Sequence, residues 1–243
     1  MIEQTPPLLP GDAGSGIVEK PVNGFAEAVA AVLREPGRVY RLIGAEGGRR
    51  LLLWLGLLNI AGLAGYGLLV GTFTGGVQLW AAPLKVAGGV VASGLICLPS
   101  LYIFSCLAGS RASLQQVVGL VVGLTAIMTL LLLGFAPVAW VFAQSTYSVS
   151  MMGTLHLLFW GTAMVFAGRF LAAGFSSVVV QKDPGVLRVW VTVFVVVVLQ
   201  MTTALRPIIG RADTFMPTEK KFFLTHWLEQ VESEAANGKV ERY

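Results

Sequence analysis

Three side chains could place a charge, a proton or a hydrogen bond inside an apolar setting: Lys85, His156 and Arg169, each set among aliphatic runs. Ionisable groups at membrane depth are costly, so they mark ion paths, relays and ligand sites. Each has a plainer use as well. Lys85 stands about one turn past Trp80, where it could snorkel to an outer interface. His156 lies near the start of an apolar run and suits a hydrogen-bonded or interfacial position as readily as a ligand site. Arg169 could be a buried charge or sit at a cytoplasmic edge. Ion-coupled transport normally leaves carboxylates inside the spans, and the five apolar runs described below contain no Asp or Glu. A coupled transporter is therefore disfavoured.

Catalytic chemistry finds no constellation. His156 and His226 fall in different compartments of a five-span layout, and Glu232 and Glu234 lie in a polar tail where a solvated helix end is the plain explanation. Cys97 and Cys106 are nine positions apart on one helix, which puts them on opposite sides and about 13 Å apart along the axis, too far to bridge and without metal-ligand spacing. No G-x-S-x-G elbow, phosphate loop or dinucleotide fingerprint occurs. No enzyme is expected, and no catalytic, cofactor-binding or metal residue is assigned.

Small-residue spacing is present instead. Gly119-x-x-x-Gly123, Ala61-x-x-x-Gly65, Gly88-x-x-x-Ala92 and Gly89-x-x-x-Ser93 would let helix backbones approach closely, either within the chain or against other subunits. Asn59, Ser93, Ser105 and Thr125 could add hydrogen bonds between helices. The residues expected to carry packing or interaction are Gly119, Gly123, Pro99, Tyr102, His156 and Arg169, together with Arg206, Pro207, Phe223 and Trp227 of the tail.

The elements that must position these residues follow from composition. Of 243 residues 55% are hydrophobic and only 12% charged, about half the charged share of a soluble domain. A hydrocarbon core of roughly 30 Å takes about 17–25 apolar helical residues, and five runs qualify: 51–70, 80–107, 117–141, 152–173 and 189–205. The second is long enough to require tilt or a kink at Pro99. The fold expected is an all-α polytopic membrane bundle of about five spans, with an amphipathic helix region before it and another after it.

Residues 1–22 read as a disordered arm rich in Pro and Gly, without the apolar core of a signal peptide. Residues 23–50 read as short amphipathic helices broken at Glu35-Pro36, the first with Asn23 as cap and Phe25, Val29, Val32 and Leu33 on one face. Apolar on one side and basic on the other, they suit the membrane interface. The bundle occupies 51–205. The tail, 206–243, carries an amphipathic helix over about 219–234 with Phe223 and Trp227 on its aromatic face.

Six basic residues precede the first run, and the links after the first and third runs carry none. This bias puts the N-terminus in the cytoplasm. Five spans would then leave the tail outside, although it holds six basic residues of its own; a re-entrant fourth segment is the alternative. The net charge of +4 is spread over flanks and loops, so no nucleic-acid surface is implied.

This layout, with Leu98-Pro99-Ser100-Leu101-Tyr102 in the second span and Leu205-Arg206-Pro207-Ile208-Ile209-Gly210 after the fifth, resembles the Yip family of integral membrane proteins in a bacterial form. The resemblance covers about residues 25–210 and implies a non-enzymatic membrane organiser that binds protein partners; it carries over no role for an individual residue. The function expected is a scaffold or accessory subunit of a membrane complex in a bacterial inner membrane, with lipid and other membrane subunits as partners and no cofactor. A channel or carrier for a neutral or apolar solute is the first alternative, for which Ser100, Tyr102, Ser105, His156 and Arg169 would converge on a cavity. A subunit lining a lipid or quinone site in a bioenergetic assembly is the second.

Overall fold

The computed structural model describes residues 22–45, 48–107, 109–110, 112–146, 149–178 and 184–204. Among them the chain is helical, with no strand. Two short helices, α1 (Phe25–Arg34) and α2 (Pro36–Ile43), precede five long ones: α3 (Gly48–Thr74), α4 (Gln78–Leu107), α5 (Leu114–Ser145), α6 (Val149–Val178) and α7 (Pro184–Ala204). The fold is an all-α polytopic helix bundle. Four helices are long and apolar enough to cross a membrane: Gly48–Phe73, Gln78–Leu107, Leu114–Ser145 and Met151–Ser176. The expected fifth run, 189–205, overlaps α7, whose described apolar stretch, Leu187–Met201, is shorter than those four. Its 21 residues measure about 31 Å. The fourth segment is one continuous helix of 30 residues, so it is not re-entrant.

Local signals explain most boundaries. Pro36 opens α2, where its missing N–H costs nothing. Ser113 and Gln116 form a reciprocal capping box at the start of α5: the Gln116 backbone N–H donates to Ser113 Oγ at 3.3 Å, and the Ser113 N–H to Gln116 Oε1 at 2.8 Å. The turn from α3 to α4 uses Gly75 and Gly76 at φ +70° and +57°, a region that side chains rarely adopt. Helix α3 runs on past the expected end at residue 70, so Gly71 is inside it. Pro83 and Pro99 lie within the continuous helix α4, and Pro137 within α5.

The amphipathic pair differs from its sequence pattern in two ways. Gly24 caps α1, not Asn23, and no side chain contributes; Asn23 instead donates its backbone N–H to Glu27 Oε2 at 3.0 Å. The carboxylate, drawn to the positive end of the helix, does the satisfying. The face of α1 that packs is Ala28, Ala31 and Val32, while Phe25 and Leu33 are exposed. Small residues let the helix lie close. Val39, Leu42 and Ile43 of α2 are buried, and with α1 they form one apolar cluster with Leu51, Leu55 and Leu58 of α3, Ala126 of α5 and Phe170 of α6. Val22, assigned to the arm, is buried in the same cluster. The two helices thus close one end of the bundle.

Within the bundle α3 lies between α4 and α5, α5 also packs on α6, and α7 rests on α4. Close approach is set by glycine. A methyl group at Gly67 would come within 2.6 Å of Pro83 Cα, and one at Gly71 within 2.6 Å of the Gln78 carbonyl oxygen. Gly119 seats Ile43 of α2, and Gly123 seats the Phe170 ring of α6. Gly65 and Gly88, prominent in the sequence pattern, have open space around them and face outward with Ala61. The exterior is strongly apolar, with Leu53, Leu95, Leu107 and Leu158 all more than half exposed, as lipid contact requires. Trp80 and Trp140, exposed at the end opposite α1 and α2, stand where an aromatic belt belongs.

Gly67→Ala and Gly71→Ala should each lower stability by about 1–3 kcal/mol, because the obstruction is backbone that cannot swing aside. Gly65→Ala and Gly88→Ala should leave the melting temperature in detergent unchanged. Comparing the four variants by thermal unfolding checks which glycine faces hold the bundle.

Candidate functional site

Two sets of polar side chains lie inside the bundle. The first joins α3 to α5. Asn59 Nδ2 donates to Thr125 Oγ1 at 2.7 Å and to the Val122 carbonyl at 3.2 Å, and its Oδ1 accepts from Thr129 Oγ1 at 3.1 Å. The two threonines are one helical turn apart on α5, so a single carboxamide spans both hydroxyls. Each hydroxyl also has an acceptor on its own helix: Thr125 the Val121 and Val122 carbonyls, Thr129 the Thr125 carbonyl at 2.8 Å. The network is closed on itself, which is how buried polar groups avoid a desolvation penalty. It is a clasp between helices.

The second set lies toward the Trp80 end. Tyr66 of α3 and His156 of α6 meet at 2.6 Å between the phenol oxygen and Nδ1, with their rings edge to face. Tyr66 is 1% and His156 5% exposed. His156 Nε2 is buried and has no hydrogen-bond partner. With this the one hydrogen bond described for the phenol, the satisfying arrangement has Tyr66 donating to Nδ1, which leaves the imidazole proton on Nε2. Phe159 stands edge-on to the imidazole and stacks on Phe135 of α5 at 4.7 Å, giving an aromatic surround. Lys85 of α4 is 2% exposed, so it is covered by its neighbours. Because Gly67 sits against Pro83, Lys85 lies at about the level of Tyr66.

At the opposite end, charged and aromatic groups fix the cap. Arg38 pairs with Glu27 at 3.1 Å and Glu35 at 3.6 Å, partly exposed contacts each worth under about 1 kcal/mol. Tyr40 donates its phenol proton to the Phe170 carbonyl at 2.7 Å and packs on the Phe170 ring. Burial pushes the Tyr40 phenol up from 10 to about 12, so it remains a donor throughout the ordinary pH range. Gln115 Nε2 donates to the Ile43 carbonyl at 3.1 Å, tying the last turn of α2 to α5.

The residues singled out from the sequence do not assemble at one place. His156 is buried in the second set, whereas Tyr102 and Arg169 are exposed on α4 and α6. Ser93 and Ser105 bond to carbonyls of their own helix, at Gly89 and Tyr102, so of the four polar residues expected to link helices only Asn59 and Thr125 do so. Ser100 accepts from Trp190 Nε1 of α7 at 3.0 Å, beside the Cys97 carbonyl at 3.1 Å. Pro99 lies next to that contact. Cys97 is buried and Cys106 exposed, as their spacing requires. Arg206, Pro207, Phe223 and Trp227, the tail helix and most of the N-terminal arm lie outside the described residues. Thr129, Tyr66 and Trp190 were missed. Thr129 was visible as Thr125-x-x-x-Thr129, a polar i, i+4 pair on an apolar helix; Tyr66 and Trp190 carry no spacing signal. Among the described residues no group of three or more His, Cys, Asp or Glu could hold a metal.

The clasp predicts an asymmetry. Asn59→Leu leaves both threonine hydroxyls with acceptors on their own helix and should cost about 1 kcal/mol. The double change Thr125→Val with Thr129→Val leaves the buried carboxamide with only the Val122 carbonyl and should cost about 1–3 kcal/mol. Thermal unfolding in detergent should therefore rank the double variant below Asn59→Leu.

Comparison with protein-family models, with curated proteins and with solved structures finds no match for this chain.

Proposed function

We propose that this protein is a non-enzymatic scaffold or accessory subunit of a membrane complex, resident in a bacterial inner membrane with its N-terminus and the α1–α2 cap on the cytoplasmic side. One observation carries the reading. The groups named for a conduit do not meet: Ser105 bonds to the Tyr102 carbonyl of its own helix, Tyr102 and Arg169 face the exterior, Ser100 is taken by Trp190 of α7 and His156 by Tyr66 of α3. The facing surfaces of α3, α4 and α5 are filled by contacts that glycine makes possible. A bundle built this way holds a shape and presents surfaces. The Yip-like layout of Leu98 to Tyr102 and Leu205 to Gly210 agrees with an organising role.

A second reading is a carrier for a neutral solute. It is favoured by the buried imidazole of His156, whose Nε2 has no partner, and by Lys85 buried at a similar level. The residues named for such a path do not converge, so it ranks below the first.

Extraction in mild detergent followed by sizing and mass spectrometry should recover the chain with companion proteins in fixed ratio; recovery as a lone monomer would sink the scaffold reading. Topology is tested separately. With α7 as a fifth span, Thr225→Cys should react with a membrane-impermeant thiol reagent from outside in a Cys106→Ser background, and reaction only after permeabilisation would remove α7 from the spans.

A further inference from the structure

At the end closed by α1 and α2, a groove of about 420 Å³ is lined by Asn23, Arg50, Leu53, Trp54 and Leu57. Four of the five belong to α3 at positions i, i+3, i+4 and i+7, one stripe on its outer face. The stripe begins with a cation at the helix start and continues as apolar side chains for about 10 Å along the axis. Leu53 is 74% and Leu57 51% exposed, and Arg50 is also exposed. Asn23, in the segment leading into α1, forms the opposite wall.

Trp54 makes this more than a stretch of lipid-facing helix. Its ring is held in place by Phe25 of α1, edge-on at 6.3 Å between centroids, and its Nε1 is buried with no hydrogen-bond partner. A buried N–H without an acceptor is uncommon. Phe25 is itself 42% exposed, and a bound acceptor oxygen would have to displace neighbouring side chains slightly to reach the indole N–H. Along α3 the groove thus runs from the Arg50 guanidinium past Leu53 and the Trp54 ring to Leu57, descending from the helix start into the apolar zone. That matches a molecule whose anionic end lies at the interface and whose hydrocarbon runs inward along the helix.

We propose that this groove binds one anionic phospholipid, with Arg50 on the phosphate, Trp54 and Asn23 donating to phosphate or ester oxygens, and an acyl chain lying over Leu53 and Leu57. Charge complementarity selects the occupant. A phosphate matches the fork of the guanidinium, and the aliphatic stretch beneath it excludes a fully hydrated ligand. The lipid would fill the angle between α1 and α3 and so fasten the cap to the bundle.

Native mass spectrometry of the full-length protein tests this with phosphatidylglycerol and phosphatidylcholine of matched chains. The wild type should retain phosphatidylglycerol preferentially as a single tight adduct. Arg50→Gln should weaken that adduct about tenfold, Trp54→Phe about two- to threefold, and Arg34→Gln, which removes an equal charge from α1 outside the groove, should leave it unchanged. Inorganic phosphate should not displace the lipid. Equal retention of the two lipids, equal losses in Arg50→Gln and Arg34→Gln, or displacement by inorganic phosphate would each overturn the proposal. The first two would reduce the effect to general hydrophobic or electrostatic attraction, and the third would make the groove a site for free anions.

Discussion

The bundle depends on the ability of α3 to approach two neighbours at once. On one side Gly67 and Gly71 bring its backbone against the first turns of α4, where Pro83 and the Gln78 carbonyl occupy the space a side chain would need. On the other, Gly62 makes room for Thr129 and Leu133 of α5, and Asn59 one turn earlier closes the hydrogen-bonded clasp with Thr125 and Thr129. Between apolar helices in an apolar solvent no hydrophobic gain drives association, so dispersion at short range and satisfied polar pairs must supply it. Both depend on backbone separation. Once α3 is held, α4 is placed to receive Trp190 of α7, and α5 to receive Phe170 of α6.

The short helices extend the same logic to one end. Leu42 and Ile43 of α2 sit where a hydrophilic linker could have run, and Ile43 fits against Gly119. Tyr40 reaches the carbonyl of Phe170, and the ring of Phe170 rests on Gly123. The spacing of Gly119 and Gly123 is therefore used inside the chain, by two different neighbours. Ala61 and Gly65 on α3 and Gly88 on α4 instead face outward, open to another helix or to lipid.

Much of this was legible in the sequence, and the exceptions share a cause. Periodicity located the helices, the break at Glu35-Pro36 and the amphipathic face of α2, because apolar length and proline act locally. Which face of a long apolar helix turns inward is not local. With hydrophobic residues on every side, Ala61-x-x-x-Gly65 and Gly67-x-x-x-Gly71 look alike, and only the second meets α4. Lys85 shows the same limit: a lysine near the end of a span can reach an interface or turn into the bundle, and the packing around it decides. Ser93 and Ser105 could link helices or bond to their own, and they do the latter because the i−4 and i−3 carbonyls are always within reach. Tyr66 and His156 are 90 positions apart, with nothing in either neighbourhood that announces the other.

Among the described residues, the facing stretches of α3, α4, α5 and α6 pack closely at Gly62, Gly67, Gly71 and Gly123 and around one apolar cluster, a fit that should exclude water. Hydrogen–deuterium exchange of the protein in lipid nanodiscs, followed by peptide, tests it most directly. A filled bundle predicts slow exchange across the facing stretches of α3 and α5, residues 57–70 and 120–135, and around His156, with fast exchange confined to helix ends and links. Rapid exchange at Tyr66, His156 and the Asn59–Thr129 level together would reveal water running through the bundle and would contradict a structure built to pack.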